Sequence, residues 1–413
     1  MVWGAFGGGF ADPSTPEGAR LAALPMDEGT PLYRLRDSVS PDGALDTFRL
    51  SVWLFNFRLQ AYYNILKALG VGGYRNQDIG TSGEVDYGDE HFTCFQFGYD
   101  WRLDLAANGR RLDEFIAEKH SYVESEIERR FGRQPDTVRF DIVAHSMGGL
   151  LARYYLRYGA SDLPEDGSPP EVTWAGARNV KSLSMIGTPN AGSVGALEQL
   201  VEGSGGMPFV PQYQPAILGT LPSLYQLLPQ SRHGALVSLA DPDGAYLDIY
   251  DPDLWVDMGW GLASLEQDHV LQMLLPHVDD ESERRRIALS HQRKCLIRAR
   301  KIWQALSTPA DPPPGLTLNL FAGDAVETDA ALGVDPERKT LHVIRKDPGD
   351  GTVTRSSALM DERVGGEWAP KLVSPVNWDQ VMFFFRDHLG ITKDAVFTDN
   401  LLYLLLEQPP RRR

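Results

Sequence analysis

The chain has 413 residues, a net charge of −16, 42% hydrophobic residues and only two cysteines. That apolar share supports a sizeable globular core. The acidic balance argues against nucleic acid and against electrostatic docking to anionic lipid, and no Cys/His spacing of a metal site occurs.

Residues 1–50 are rich in Gly, Pro and Asp and read as irregular surface structure. The opening MVWGAFGGGF lacks the basic and apolar regions of a signal peptide, and no stretch reaches transmembrane length. As given, the chain therefore reads as cytoplasmic. Its glycines are followed by no Walker lysine, so no phosphate loop is expected. Val52 to Leu69 reads as helical towards its end, with Tyr62, Ile65, Leu66 and Leu69 on one face and Gly70 as a stop. Residues 70–90 read as loop. His91 to Phe97 alternates and reads as a strand. A small buried thiol is the simpler reading of Cys94 within it, and pairing with Cys295 stays open. Tyr99-Asp100-Trp101-Arg102 follows at the strand's end, where ligands gather in open parallel sheets. Trp101 is thus a candidate substrate contact. The competing reading is a structural corner in which Arg102 pairs with a carboxylate. Leu103 to Phe131 reads as a long amphipathic helix.

Val138 to Val143 reads as a strand, and Met147 to Tyr158 as a helix with Leu150, Leu151, Tyr154 and Tyr155 on one face. Between them lies Ala144-His145-Ser146-Met147-Gly148. A serine on a strand-to-helix turn between small residues meets the requirements of a nucleophile elbow. Its helix starts directly beneath it, aiming N–H groups and the positive dipole end at charge forming there, with the Met147 N–H first in line. The alternation of strand and helix implies a parallel sheet. Asn179 to Ile186 is the next strand, ending in Gly187-Thr188-Pro189-Asn190-Ala191-Gly192-Ser193, whose small residues suggest that something approaches the backbone closely.

From 203 to 314 the alternation is lost, and Pro, Leu, Tyr and Trp cluster, including Tyr225, Trp255 and Trp260. This segment reads as a mainly helical cap over an apolar pocket, with those three aromatics as candidate substrate contacts. Residues 1–202 and 315–413 form the core of that scheme. Glu281 to Leu306 is strongly basic and reads as a solvated face or an internal salt-bridge layer. Strands resume at Leu316 to Phe321, Thr340 to Arg345 and Gln380 to Phe385, followed by a closing helix from Ala395 to Glu407 and a loose tail from Pro409. Three candidates stand just after late strands: Asp324, Asp350 and His388. With Ser146 they fit the order nucleophile, acid, base. His388 is the best base, because His145 should be turned away from the serine. Either aspartate fits the acid.

Together, Tyr99-Asp100-Trp101-Arg102, the elbow, Gly187 to Gly192, Gly349-Asp350-Gly351-Thr352-Val353 and His388-Leu389 resemble the lecithin:cholesterol and phospholipid:diacylglycerol acyltransferase group of lipases. The resemblance implies an α/β-hydrolase fold: a mostly parallel sheet flanked by helices, with a large mainly helical cap insertion. It implies Ser146 as nucleophile, Asp350 rather than Asp324 as acid, His388 as base, and an acyl-enzyme passed to water or an alcohol. The substrate would be a lipid-like ester, with no cofactor, metal or nucleic acid. The family's opening strand and Pro-Gly-x-x-Gly-Ser loop, which supply the second oxyanion donor, have no counterpart here. Trp3-Gly4 resembles the family's segment immediately downstream of that loop. Either the chain starts downstream of a longer natural one, which would admit secretion, or Gly7-Gly8-Gly9 substitutes. An acyl-ligand binding protein of low turnover is the alternative. Oligomeric state is not legible.

Overall fold

The computed structural model describes residues 5–6, 9–10, 12–37, 39, 48–52, 55–59, 63–78, 91–165, 168–204, 212–230, 233–241, 246–364 and 369–407. Trp3-Gly4, Gly7-Gly8, Tyr62 and the tail from Pro409 lie outside them. The organising element is a sheet of four strands. They are β1 (Phe140–His145), β2 (Val180–Ile186), β4 (Thr317–Gly323) and β7 (Gln380–Phe384), in the order β7-β4-β2-β1, all parallel. In register, His145 faces Ile186, Ile186 faces Phe321, and Phe321 faces Met382. The loops after these strands therefore emerge at one edge, where ligands bind in open parallel sheets.

Both sheet faces are covered, so β2 and β4 are buried almost throughout, including the polar Ser182, Ser184 and Asn319. Leu183, Met185, Leu318, Leu320 and Ala322 join one buried cluster with α3 (Leu105–Phe131), α4 (Met147–Tyr158) and α10 (Glu281–Ser307). On the other face Ile186, Phe321 and Phe384 meet α2 (Tyr63–Val71) and α12 (Ala395–Leu402), with Phe321 and Phe384 stacked at 5.9 Å. Short helices α1 (Pro16–Ala22), α5 (Val194–Glu202) and α11 (Arg355–Leu359) pack around this frame. Residues 203–314 supply α6 (Pro215–Leu218), α7 (Pro222–Tyr225), α8 (Pro252–Met258), α9 (Asp268–Leu274) and α10. Their apolar residues are largely continuous with the main cluster.

Two ion networks lock the layers together. Asp104 caps α3, accepting from the Ala106 and Ala107 N–H groups, and is buried against Arg298 of α10 at 2.8 Å. Arg298 also pairs with Asp162. This internal pairing, with Arg285–Asp268 and Arg300–Asp248, absorbs much of the basic character of α10. Arg102, buried, pairs with Asp100 and Asp37 at 2.8 Å each and donates to the Leu21 carbonyl, so Tyr99 to Arg102 is a structural corner that anchors the N-terminal segment.

Several expectations are corrected. Among the described residues His91 to Phe97 joins no ladder and makes a single bridge, between Cys94 and Asn76. Its alternating aromatics pack instead on α3, Phe95 edge-on to Tyr122 and Phe97 against Phe115. Val52 to Leu69 is helical at its end, as expected, in α2; what was not expected is the antiparallel hairpin of Phe48–Val52 and Phe55–Leu59 before it. Thr340 to Arg345 extends to Gly349 as β6 and lies outside the main sheet. It pairs antiparallel with β5 (Val326–Asp335), which sequence reading missed, and β5 pairs in turn with β3 (Leu236–Ser238). Cys94 and Cys295 are both free, Cys295 fully buried. Among the described residues no helix is long and apolar enough to cross a membrane.

Candidate active site

The site is assembled at the C-terminal edge of the sheet. β1 ends at His145, and the chain turns within one residue into α4. Ser146 occupies that residue with φ 53° and ψ −129°. A side-chain-bearing residue in this region costs about 1–3 kcal/mol, a penalty that persists only where the surroundings impose it. Here the imposing contacts are the Ser146 N–H donating to the Ile186 carbonyl at 2.8 Å and the Gly149 N–H donating to the Ser146 carbonyl at 3.0 Å. Ser146 makes no side-chain cap to α4, so its Oγ stays available. The Met147 N–H lies in the first helical turn, where no intrahelical acceptor exists.

His388 stands on the loop after β7. Its Nε2 lies 3.1 Å from Ser146 Oγ, and its Nδ1 lies 2.8 Å from Asp350 Oδ2. Asp350 is buried, and its other oxygen accepts from the Thr352 and Val353 N–H groups at 2.9 and 2.7 Å. The carboxylate is thus fully partnered, as a buried charge must be. Asp324 does not join this chain: it forms a partly exposed ion pair with Arg355 at 3.0 Å.

The loop after β2 closes on the pair. Gly187 has φ +55°, and a Cβ there would stand 3.1 Å from the His388 ring and 3.3 Å from Asp350 Oδ2. What approaches this backbone is therefore the His388–Asp350 pair itself. The loop is stitched to the segment carrying Asp350: Asn190 donates to the Ala358 carbonyl, Ser193 to the Thr352 carbonyl, and Ser357 to the Gly192 carbonyl. Arg153 of α4 in turn donates to Asn190 at 2.8 Å. Sequence pattern offered no signal for these links, since most end on backbone carbonyls.

Residues 84–281 match the lecithin:cholesterol acyltransferase family model. A chain of the crystal structure of the Tle4–Tli4 complex shares the fold, with TM-score 0.51 and 16% identity over 95% of this chain and 88% of that one. The fold is that of an α/β-hydrolase, and just under half of the chain is similar to the lecithin:cholesterol acyltransferase family. No curated protein matches it significantly. The family match supports acyl-ester hydrolase or acyltransferase activity; it includes Ser146 and stops short of Asp350 and His388.

The aromatic candidates separate into two groups. Trp101 is half-buried beside the Asp100–Arg102 pair. Tyr225, Trp255 and Trp260 are buried and pack on one another, with ring centroids 5.5 and 5.8 Å apart along the series. Tyr225 donates its hydroxyl to the Gly219 carbonyl, and Trp255 its indole N–H to the Ile249 carbonyl. No group of three or more His, Cys, Asp or Glu among the described residues could hold a metal ion.

Proposed function

We propose that the protein is a serine-nucleophile carboxylic ester hydrolase or O-acyltransferase that acts on lipid-like acyl esters through an acyl-enzyme. The observation that carries this reading is the hydrogen-bonded series Asp350–His388–Ser146, seated on an elbow with the serine in a strained conformation. In this reading Ser146 Oγ attacks the acyl carbon while His388 Nε2 takes its proton. Asp350 orients the imidazole and stabilises the imidazolium. The Met147 N–H donates to the oxyanion. His388 then gives the proton to the leaving alcohol as its C–O bond breaks in the tetrahedral intermediate, leaving an acyl-serine ester. Water or a second alcohol, deprotonated by His388, attacks that ester and releases Ser146.

The segment 203–314 serves as the cap of this enzyme, with residues 1–202 and 315–413 as its catalytic core. Trp101, Tyr225, Trp255 and Trp260 are its candidate substrate contacts, and of the four only Trp101 is partly exposed. The test is product analysis with a phospholipid or triacylglycerol, with and without a long-chain alcohol. Free fatty acid alone indicates hydrolysis, and acylated alcohol indicates transfer. Binding of acyl ligand without either product would replace the enzyme by an acyl-ligand binding protein.

A further inference from the structure

His388 has to reach Ser146 across the sheet, since β7 and β1 lie at opposite ends of the β7-β4-β2-β1 order. Its backbone is held at both polar groups. The His388 N–H donates to the Asp350 carbonyl at 2.9 Å. The His388 carbonyl lies 3.1 Å from Nε2 of His145, the residue just before the nucleophile. The His145 ring is buried and packs on the His388 ring, with centroids 4.8 Å apart. Its own place is set by the β1 ladder, where His145 faces Ile186. A nitrogen facing a carbonyl at this distance must carry the proton. Burial first, and the neighbouring His388 second, push the His145 pKa down to about 3, so the ring is neutral in the working range.

We propose that His145 is a positioning residue: by donating Nε2–H to the His388 carbonyl it fixes where the imidazole stands between Asp350 and Ser146. This rests on the reading of Ser146, Asp350 and His388 as the catalytic series. The elbow thus supplies two functions from consecutive residues, the nucleophile and the clamp on its base. The rate should depend on the reach of the donor at position 145, because a misplaced base loses rate without losing substrate affinity.

The test compares His145→Gln with His145→Asn. The glutamine amide reaches the place of Nε2, while the shorter asparagine amide stops near that of Nδ1. Both leave similar polar groups in the same buried site, so thermal melting should shift alike. Asn is expected to lower kcat for a p-nitrophenyl acyl ester roughly ten-fold at unchanged KM, on the scale of one hydrogen bond. Gln is expected to restore most of that loss. Equal kcat for the two variants, or a change confined to KM, would overturn the positioning role. Fluorophosphonate labelling of the unmutated protein keeps the two ideas apart: its failure at Ser146 removes the catalytic reading, whereas labelling with equal variants removes only the clamp.

Discussion

Ser146, Gly187 and Asp350 show how single residues at this edge are constrained by what stands next to them. The Asp350 carboxylate serves His388 with one oxygen and two backbone N–H groups with the other. Asp350→Asn should therefore lower kcat by roughly four orders of magnitude, the loss found when an amide replaces the orienting acid in a well-studied protease. Asp324→Asn, which touches only a partly exposed ion pair, should stay within a few-fold of the parent. Steady-state ester hydrolysis by the two variants decides between them, and a larger loss at Asp324 would refute the assignment. At Gly187, alanine would meet the His388 ring and hold a positive φ. We expect Gly187→Ala to reduce kcat by about 10- to 100-fold, since displacements near 1 Å cost that much in an aligned site. The strand-end places of Ser146 and His388 were legible in the sequence because each follows a strand at a recognisable turn. Asp350 and Asp324 were not separable by that signal; the family resemblance favoured Asp350, and the packing of the late loops sets Asp350 beside His388 and Asp324 beside Arg355.

At the scale of elements, the β1–Ser146–α4 unit was readable because its hydrophobic period changes from 2 to 3.6 across a single residue. The strand-like run at 91–97 misled for a physical reason: alternation marks an amphipathic face, and here that face lies on a helix rather than in a ladder. The start of β6 was read as a strand, but β5 and its antiparallel pairing were not: β6 is largely exposed and its register is interrupted between Val343 and Lys346. The salt-bridge layer of α10 was anticipated as a type, without its partners. Arg298→Met tests it. This substitution strands the buried Asp104 that caps α3. Breaking a buried pair from one side costs about 3–5 kcal/mol, so urea unfolding should show a loss of that order. A loss below about 1 kcal/mol, the worth of a surface pair, would mean that α10 and α3 are not joined through this link.

For the whole molecule, the buried histidines predict an acid limit on stability. Burial lowers His145 to about 3 and His291 to about 4, against 6.5 for an ordinary histidine. Between about pH 6.5 and 4 the unfolded chain therefore binds more protons than the folded one. Stability is full above about 6.5 and falls as pH drops through this window, approaching about 1.4 kcal/mol per pH unit for each histidine. Melting temperature followed from pH 7 to 4 should decline steadily, and a flat profile would show that these rings are charged or solvated in the fold. The catalytic reading also stands or falls as a whole, on whether one serine carries all acyl chemistry. Its most direct test is fluorophosphonate labelling with mass-spectrometric site mapping, run alongside p-nitrophenyl acyl ester turnover, for the unmutated protein and Ser146→Ala. The expected result is one label per chain at Ser146, and loss of both labelling and at least roughly 1,000-fold of turnover in the variant. An unlabelled parent, or turnover that survives in Ser146→Ala, would contradict it.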